Sequence, residues 1–231
     1  MAIASATLSV VEIFTSLQGE GMRIGVPSSF VRLGDCNLSC RWCDTTYAWK
    51  EGDRSPRKSL TPSDVVARLQ ADSVVLTGGE PLLQDLEALL ELMGKRHVTI
   101  ETNGTIFKPY ARVDLWSISP KLGSSGHKPN RRVLDAYLRA FPERLQLKFV
   151  VKGEEDLSEV RSLLVTLPEV SKQRIPVILQ PVGRADQSSL AYLEGLRELG
   201  EGILAEEFWR AYDWRVLPQL HRLLWGDRRG I

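Results

Sequence analysis

The chain has 231 residues, and 30 Lys and Arg against 29 Asp and Glu give a formal net charge of +1. Hydrophobic residues make up 43% and charged residues 26%, which is typical of a folded globular protein and excludes a disordered chain. The balanced charge gives no reason to expect a nucleic acid or a membrane as partner. No apolar stretch approaches the length of a transmembrane helix. The first eleven residues lack a basic region before their apolar part, so we expect no signal peptide.

Six short runs rich in β-branched and apolar residues predict strands. In chain order they are 29–33, 73–77, 98–102, 114–119, 146–152 and 176–180. Several are apolar on both faces, as in a parallel sheet that is covered on both sides. Helical patterns lie between these strands and after the last one, and they are 61–70, 82–93, 130–140, 154–167 and 187–199. Thr61 followed by Pro62 is a good start for the first helix, because Thr caps a helix and Pro suits its first position. Polar composition predicts exposed loops at 50–59 and 123–130.

Strand followed by helix, repeated about six times, implies right-handed βαβ units and an α/β fold. Six units are too few for a closed eight-fold barrel, so we predict an open, incomplete (β/α)6 barrel, with a doubly wound sheet as the alternative. Either fold places the active site at the carboxyl ends of the strands. We expect residues 1–231 to form a single domain. The tail 209–231 holds three of the six Trp, so we expect it to pack onto the body.

Cys36, Cys40 and Cys43 are the only cysteines of the chain, and all lie within eight residues directly after the first predicted strand. Such crowding indicates a metal site in a reducing, cytoplasmic compartment and not a disulfide framework. A structural zinc site needs four ligands, and the nearest histidine, His97, is more than fifty residues away. A 4Fe-4S cluster held by three cysteines leaves one iron open to a ligand. The spacing C-x3-C-x2-C resembles the radical S-adenosylmethionine superfamily, in which that iron binds the amino and carboxylate groups of S-adenosylmethionine.

The superfamily resemblance implies a Gly-Gly-Glu-Pro segment after the second barrel strand. The chain has Gly78-Gly79-Glu80-Pro81 at that place. Glycines let a backbone approach a ligand closely, although the segment alone could be an ordinary strand-to-helix turn. Together with the cysteines, the resemblance implies that Gly79 and Glu80 hold the methionyl amino group.

Further segments narrow the resemblance to one family. They are Phe-Thr-Ser-Leu-Gln-Gly-Glu-Gly at 14–21, Trp-Cys-Asp-Thr at 42–45, Ser-Ile-Ser-Pro-Lys at 117–121, Leu-Gln-Pro-Val at 179–182 and Pro-Gln-Leu-His at 218–221. This set resembles the 7-carboxy-7-deazaguanine synthase family over essentially the whole chain. The resemblance implies a homodimeric lyase of the 7-deazapurine (queuosine) pathway. Such an enzyme contracts the ring of 6-carboxy-5,6,7,8-tetrahydropterin and releases ammonia, using S-adenosylmethionine, a 4Fe-4S cluster and Mg²⁺.

A flat pterin that carries a carboxylate needs planar polar partners. The guanidinium of Arg32 can pair with a carboxylate through two parallel hydrogen bonds, although a surface salt bridge is the alternative reading. Glu20 can accept hydrogen bonds from the guanidine-like edge of the pterin, unless it belongs to an ordinary polar turn. The resemblance implies a set of substrate-binding residues, which are Leu17, Gln18, Gly19, Glu20, Arg32, Thr77, His221 and the C-terminal Ile231.

The remaining candidates concern the cofactors. A Thr45 hydroxyl suits Mg²⁺ but is too weak to hold it alone, and Thr45 could instead be a loop residue that bonds its own backbone. The resemblance implies a set of residues that bind S-adenosylmethionine, which are Trp42, Cys43, Asp44, Gly79, Glu80, Ser119, Pro120, Lys121, Gln180, Pro181 and Val182. Glu101 and Asn103 could support the site from behind, and a structural turn at Asn103-Gly104 fits the sequence equally well.

Two alternatives remain open from the residues alone. A radical activating enzyme would share the cluster and the glycine segment but would act on a glycine of a partner protein. A zinc-binding interaction module would have no catalytic activity and no colour. The synthase assignment further implies an electron donor such as flavodoxin or ferredoxin.

Overall fold

A computed structural model describes residues 7–184, 187–226, 228 and 230. Nine strands are described in this part of the chain. They are β1 (Leu8–Leu17), β2 (Pro27–Leu33), β3 (Lys58–Leu60), β4 (Ser73–Gly78), β5 (His97–Thr102), β6 (Leu115–Ile118), β7 (Leu145–Val151), β8 (Val177–Pro181) and β9 (Trp214–Val216).

The nine strands form one sheet in the order β3-β1-β2-β4-β5-β6-β7-β8-β9. From β2 onward each neighbouring pair is parallel, and β1 pairs antiparallel with both β2 and β3. The parallel strands follow one another in chain order without a reversal, whereas a doubly wound sheet reverses its order at a switch point. Among the described residues the sheet does not close, so the prediction of an incomplete barrel is confirmed and the doubly wound alternative is wrong.

All six predicted strands are present, as β2 and β4 to β8. Three strands were not predicted. β1 is half-exposed along most of its length, so it lacks the continuous apolar run that identifies the central strands. β3 and β9 have three residues each, too few for a periodic pattern, and β3 begins inside the predicted loop 50–59.

Seven α-helices are described. They are α1 (Pro62–Val66), α2 (Glu87–Glu91), α3 (Arg131–Ala140), α4 (Glu154–Val165), α5 (Glu169–Lys172), α6 (Ser189–Ala205) and α7 (Leu220–Trp225). The Thr61 side chain accepts a hydrogen bond from the backbone N–H of Asp64, which confirms the predicted cap. None of the described helices is long and apolar enough to span a membrane.

The prediction of one helix over 82–93 is wrong. The segment consists of a 3-10 turn, Pro81–Leu83, and then α2. Gln84 is extended between them, because its side chain bonds both backbone groups of Ser9 in β1. Its Oε1 accepts from Ser9 N at 2.7 Å, and its Nε2 donates to Ser9 O at 3.1 Å. Helix α1 is shorter than the predicted helix 61–70, since it ends at Val66. Helix α6 extends beyond the predicted helix 187–199, since it ends at Ala205.

Buried apolar side chains fill the space between the sheet and the helices that cover it. Leu76, Ile100, Ile118, Leu147 and Leu179, one from each of five neighbouring parallel strands, have no exposed surface. Burial of such a side chain contributes about 1.5–3 kcal/mol to stability. The core thereby fixes the carboxyl ends of the parallel strands relative to one another.

The described part of the tail packs onto this body, as predicted. Trp209 is 1% exposed and makes edge contacts with Phe208 and Tyr212. β9 then adds to the sheet beside β8, in the register Val177–Trp214 to Leu179–Val216. The tail thus extends the barrel by one strand.

Candidate active site

A cleft of about 1700 Å³ opens at the carboxyl ends of the parallel strands. Most of the residues predicted from the sequence line it together. They are Leu17, Gln18, Gly19, Glu20, Arg32, Cys36, Cys40, Trp42, Cys43, Asp44, Thr45, Thr77, Gly79, Ser119, Lys121, Pro181, Val182 and His221. Glu80, Pro120 and Gln180 do not line the cleft, and Ile231 lies outside the described residues.

The three cysteines are free, half-buried thiols on the loop after β2. N–H groups donate to two of their sulfurs, among them Leu38 N to Cys36 Sγ at 3.4 Å and Trp49 Nε1 to Cys43 Sγ at 3.3 Å. Burial raises the pKa of the Cys36 thiol to about 11, so a bound cation is needed to hold it as a thiolate at neutral pH.

The donor set of this loop fits an iron–sulfur cluster. Three soft sulfur donors on one loop are the ligands that such clusters use. Among the described residues, no three His, Cys, Asp or Glu side chains converge closely enough to hold one metal ion. Each cysteine of a cluster site binds a different iron, so this ligand set does not require the three sulfurs to meet at one point.

Gly78 at the end of β4 and Gly79 directly after it pack against the cysteine loop and the end of β2. Gly78 has a φ of +142°, and a Cβ on Gly79 would overlap the carbonyl oxygen of Asp35. Gly79 N donates to Leu33 O at 3.1 Å, and Glu80 N donates to Asp35 O at 2.7 Å. The close approach that requires these glycines is therefore one between two backbone segments of the protein. The hydrogen bonds fix the start of the cysteine loop to the end of β4.

The Glu80 carboxylate lies behind the wall of the cleft and is fully buried. It accepts from Thr102 Oγ1 at 2.8 Å, from Asn103 N at 2.8 Å and from Leu82 N at 3.1 Å. Burial raises the pKa of Glu80. These bonds tie the ends of β4 and β5 together, so its predicted contact with S-adenosylmethionine stays a prediction.

Glu20 lies at the other end of the cleft and is surrounded by donors. Lys148 of β7 forms an ion pair with its Oε2. Its Oε1 accepts from Gln219 Nε2 at 2.7 Å and from Gln180 Nε2 at 3.0 Å. Burial would raise the pKa of Glu20, but the charge of Lys148, the electrostatic interaction with His221 and the hydrogen bonds from Lys148 and Gln219 outweigh burial and hold the pKa well below its usual range. Glu20 is therefore an ionised carboxylate inside the protein.

Glu101 is a second carboxylate near the same lysine. Its Oε1 lies 3.8 Å from Lys148 Nζ and accepts from Gln18 Nε2 at 3.1 Å. Its Oε2 accepts from Thr77 Oγ1 at 3.1 Å. Burial alone would lower the pKa of Lys148, but Glu101 and Glu20 raise it above its ordinary value. Lys148 therefore remains charged, and the polar end of the cleft has two carboxylates around one ammonium group.

Arg32 projects from β2 into the cleft and is mostly buried. Its Nε donates to Glu12 Oε1 at 2.7 Å, and Glu12 also accepts from the Tyr47 hydroxyl at 2.9 Å. The guanidinium lies over the rings of Phe14 and Tyr47, 5.8 and 5.6 Å from their centroids. The salt bridge with Glu12 uses Nε and one carboxylate oxygen, and the outer edge of the guanidinium forms no ion pair with any of the described residues. The predicted pairing of Arg32 with a substrate carboxylate stays a prediction.

The tail contributes His221 to the cleft. Leu220 N donates to Gly19 O at 2.9 Å, and a Cβ on Gly19 would overlap the His221 ring. Only glycine at position 19 therefore leaves room for α7 to pack against the loop after β1. Gln219, directly before Leu220, donates a hydrogen bond to Glu20 and so links the tail to the loop after β1.

Two polar contacts lie near the cysteines on the cofactor side of the cleft. Thr45 Oγ1 donates to Asp44 Oδ1 at 2.8 Å. Lys121 Nζ donates to Ser119 Oγ at 2.8 Å and lies 5.8 Å from the centroid of the Trp42 ring. The Ser-Pro-Lys segment and the Asp44-Thr45 pair that follows Cys43 therefore lie beside the cysteines, and their cofactor roles stay predictions.

Sequence reasoning missed four residues of this site. Lys148 had a signal, since a lysine inside the apolar strand Leu-Gln-Leu-Lys-Phe-Val-Val is unusual. Glu12 had none, because its strand was not predicted. Trp49 lies shortly after a recognised segment and Gln219 lies within one, but neither had a predicted role, since only folding brings them to Cys43 and Glu20.

Comparisons with known proteins assign first the class of protein and then the family. Residues 31–146 match the model of the Radical SAM superfamily. A 7-carboxy-7-deazaguanine synthase of Halobacterium salinarum is 37% identical, over 95% of this chain and 91% of the relative. One of Bacillus subtilis is 34% identical, over 97% of this chain and 98% of the relative. The crystal structure of QueE from Escherichia coli superposes with a TM-score of 0.67 at 27% identity, covering 90% of this chain and 92% of the other.

The chain therefore belongs to the 7-carboxy-7-deazaguanine synthase family of the Radical SAM superfamily. Neither the activating enzyme nor the zinc-binding module is needed to explain the cysteines, and both alternatives are set aside.

Proposed function

We propose that this protein is a carbon–nitrogen lyase that converts 6-carboxy-5,6,7,8-tetrahydropterin to 7-carboxy-7-deazaguanine and releases ammonia. It uses S-adenosylmethionine, a 4Fe-4S cluster and Mg²⁺. The observation that carries the proposal is that the three cysteines and the Gln18-Gly19-Glu20 segment line the same cleft. One part of the cleft fits a cluster, and the other fits a polar, planar substrate.

Each end of the substrate has a matching group in this proposal. The outer edge of Arg32 binds the pterin carboxylate through parallel hydrogen bonds. Glu20 accepts from the guanidine-like edge, and Lys148 keeps it ionised for this task. Gln18 and Thr77 both bond Glu101, which orients them along the ring. His221 closes the cleft from the tail.

The cofactor side is assigned to the cysteine loop and its neighbours. When bound, the cluster and S-adenosylmethionine supply the radical that starts the ring contraction. Cys36, Cys40 and Cys43 would hold the cluster, and Ser119 and Lys121 would bind polar groups of S-adenosylmethionine. Thr45 would bind Mg²⁺, because its proton is donated to Asp44 and its oxygen keeps lone pairs for a cation.

Anaerobic reconstitution with iron and sulfide, followed by mass spectrometry of the reaction mixture, tests this function. With reductant, S-adenosylmethionine, Mg²⁺ and 6-carboxytetrahydropterin, we expect 7-carboxy-7-deazaguanine and ammonia. Cys40→Ala is the matched control and should lose both the iron and the product. A brown protein that forms only 5′-deoxyadenosine would contradict the substrate and favour an activating enzyme.

An electron donor is also part of the proposal, and the surface next to the cysteine loop suggests where it binds. Four exposed cations belong to the cysteine loop or to the segment that follows His127, and they form no ion pair within the described part of the chain. They are Arg41, Lys128, Arg131 and Arg132. Two hydrogen bonds hold their segment against the cysteine loop: Ser39 N to His127 Nε2 at 3.0 Å, and Arg41 N to Ser125 O at 3.0 Å.

We infer that an acidic flavodoxin or ferredoxin docks there, because complementary charge steers association. Arg131→Glu with Arg132→Glu should lower donor-supported turnover more than turnover with dithionite. Lys172→Glu, at an exposed position of α5, is the control for a charge reversal away from the cysteine loop. An equal loss with both reductants would contradict the docking surface.

Three further points rest on the family resemblance and on the fold. We propose that residues 1–231 act as one domain, since one sheet and one cluster of buried apolar residues extend from β1 to β9. We also propose a homodimer and a cytoplasmic location, where a reducing environment keeps the three thiols free. Light scattering of the purified protein and fractionation of cells that produce it test these two points.

A further inference from the structure

The indole N–H of Trp49 points at a cysteine sulfur. Trp49 Nε1 lies 3.3 Å from Cys43 Sγ, and the half-buried ring lines the cleft. The 3-10 turn Thr46–Ala48 holds the residue in place, since Trp49 N donates to Thr46 O at 3.1 Å. None of the roles assigned so far uses this side chain.

A hydrogen bond to a ligand sulfur affects the redox chemistry of an iron–sulfur cluster. Hydrogen bonds to the sulfurs, net charge and solvent exposure together set the reduction potential. One-electron reduction adds negative charge to the cluster and its thiolates, and no bond to the protein forms or breaks. An N–H donor therefore stabilises the reduced form more than the oxidised form.

We propose that Trp49 sets the reduction potential of the cluster by donating its ring N–H to Cys43, which makes the cluster easier to reduce. This inference rests on the proposed function only in requiring that Cys43 holds a cluster. Trp49 is a positioning residue in this role, since it acts on the cluster through Cys43 and touches no reacting atom.

The chain contains a matched control for this proposal. Trp42 immediately precedes Cys43, but its Nε1 donates to Ser124 Oγ at 3.1 Å and not to a sulfur. Both Trp42 and Trp49 are half-buried residues of the same cleft. Replacing each by phenylalanine keeps an aromatic ring in place and removes one ring N–H. Only Trp49→Phe removes an N–H···S hydrogen bond.

The test is a redox titration of the reconstituted full chain without S-adenosylmethionine, followed by electron paramagnetic resonance and normalised to bound iron. At the potential that reduces half of the wild-type clusters, we expect the reduced-to-oxidised ratio in Trp49→Phe to fall about threefold to tenfold. A tenfold change corresponds to about 59 mV for one electron. Trp42→Phe should keep the ratio within about twofold of wild type, because it loses no bond to sulfur.

Two results of this titration would overturn the proposal. One is an unchanged ratio in Trp49→Phe, and the other is an equal change in both variants, which would point to ring packing. If Trp49→Phe binds no iron, Trp49→Tyr replaces it, since it also lacks the ring N–H. Failure of both Trp49 variants to bind iron while Trp42→Phe binds it would make Trp49 purely structural. A wild-type protein that takes up no cluster would instead contradict the proposed function.

Discussion

Lys148 and Glu20 form a nearly fully buried ion pair at the polar end of the cleft. The lysine comes from the centre of the parallel sheet and the glutamate from the loop after β1, so the pair joins two distant parts of the chain. Gln180 and Gln219 add donors to the same carboxylate. The ionised state of Glu20 therefore depends on groups from two strands and the tail.

Removal of one partner should leave the other as an unpaired buried charge. We expect Lys148→Met to lower the free energy of unfolding by about 3–5 kcal/mol, the usual cost of breaking a buried pair. Lys172→Met, which breaks an exposed pair with Glu169, should cost less than about 1 kcal/mol. Urea unfolding of both variants checks this. If Lys148→Met lost no more unfolding free energy than Lys172→Met, the buried pair of Lys148 and Glu20 would not stabilise the fold as proposed.

The depressed pKa of Glu20 gives a pH dependence of stability with a definite sign. A carboxyl whose folded pKa lies below its ordinary value of 4.5 contributes stability above that value and loses it as the pH falls through the folded pKa. The difference in unfolding free energy between wild type and Glu20→Gln should therefore be largest at neutral pH and shrink below about pH 4.5.

Urea titrations of both proteins between neutral and acid pH measure this difference. Other carboxyls titrate in both proteins and cancel in the difference. A difference that stays constant with pH would mean that the pKa of Glu20 is the same in the folded and unfolded protein, and a difference that shrinks as the pH rises would mean that Glu20 is neutral when folded.

The Thr45 hydroxyl should bind Mg²⁺, whereas its neighbour Thr46 bonds the Asp53 carboxylate. We expect Thr45→Ala to raise the Mg²⁺ concentration needed for half-maximal turnover by about tenfold, as loss of one ligand or its support typically does. The absorbance of the cluster should be unchanged. Thr46→Ala is the matched control and should respond to Mg²⁺ as wild type does. If Thr45→Ala also responds as wild type does, the Mg²⁺ role is wrong.

Gly79 should not tolerate a side chain, because a Cβ there would overlap the Asp35 carbonyl. We expect Gly79→Ala to displace the cysteine loop, lower iron uptake and destabilise the fold by about 1–3 kcal/mol, the usual cost of overpacking. Gly200→Ala, in α6 with no atom near its Cβ position, should instead stabilise the helix by about 0.5–1 kcal/mol. Iron assays and thermal unfolding distinguish the two. Normal iron uptake by Gly79→Ala would contradict the packing argument.

The amino-acid sequence determined the class of fold and the parts of the site that local pattern can encode. Buried parallel strands are continuous apolar runs, so β2 and β4 to β8 could be found without a structure. The cysteine spacing and the Gly-Gly-Glu-Pro segment are short local patterns, so their resemblance to a known family could be seen from residue type and spacing alone. β1 and β9 escaped this reasoning, because a half-exposed strand and a three-residue strand have too weak a pattern.

Only the tertiary structure decided which polar groups meet. Lys148, Glu20, Gln180 and Gln219 are far apart in sequence, and their contacts exist because the sheet and the docked tail bring four chain segments to one point. The role of Gly79 was likewise a matter of packing, since its neighbour is the backbone of another loop. Contacts at long sequence separation depend on the register and order of the strands, and no local pattern of residues specifies them.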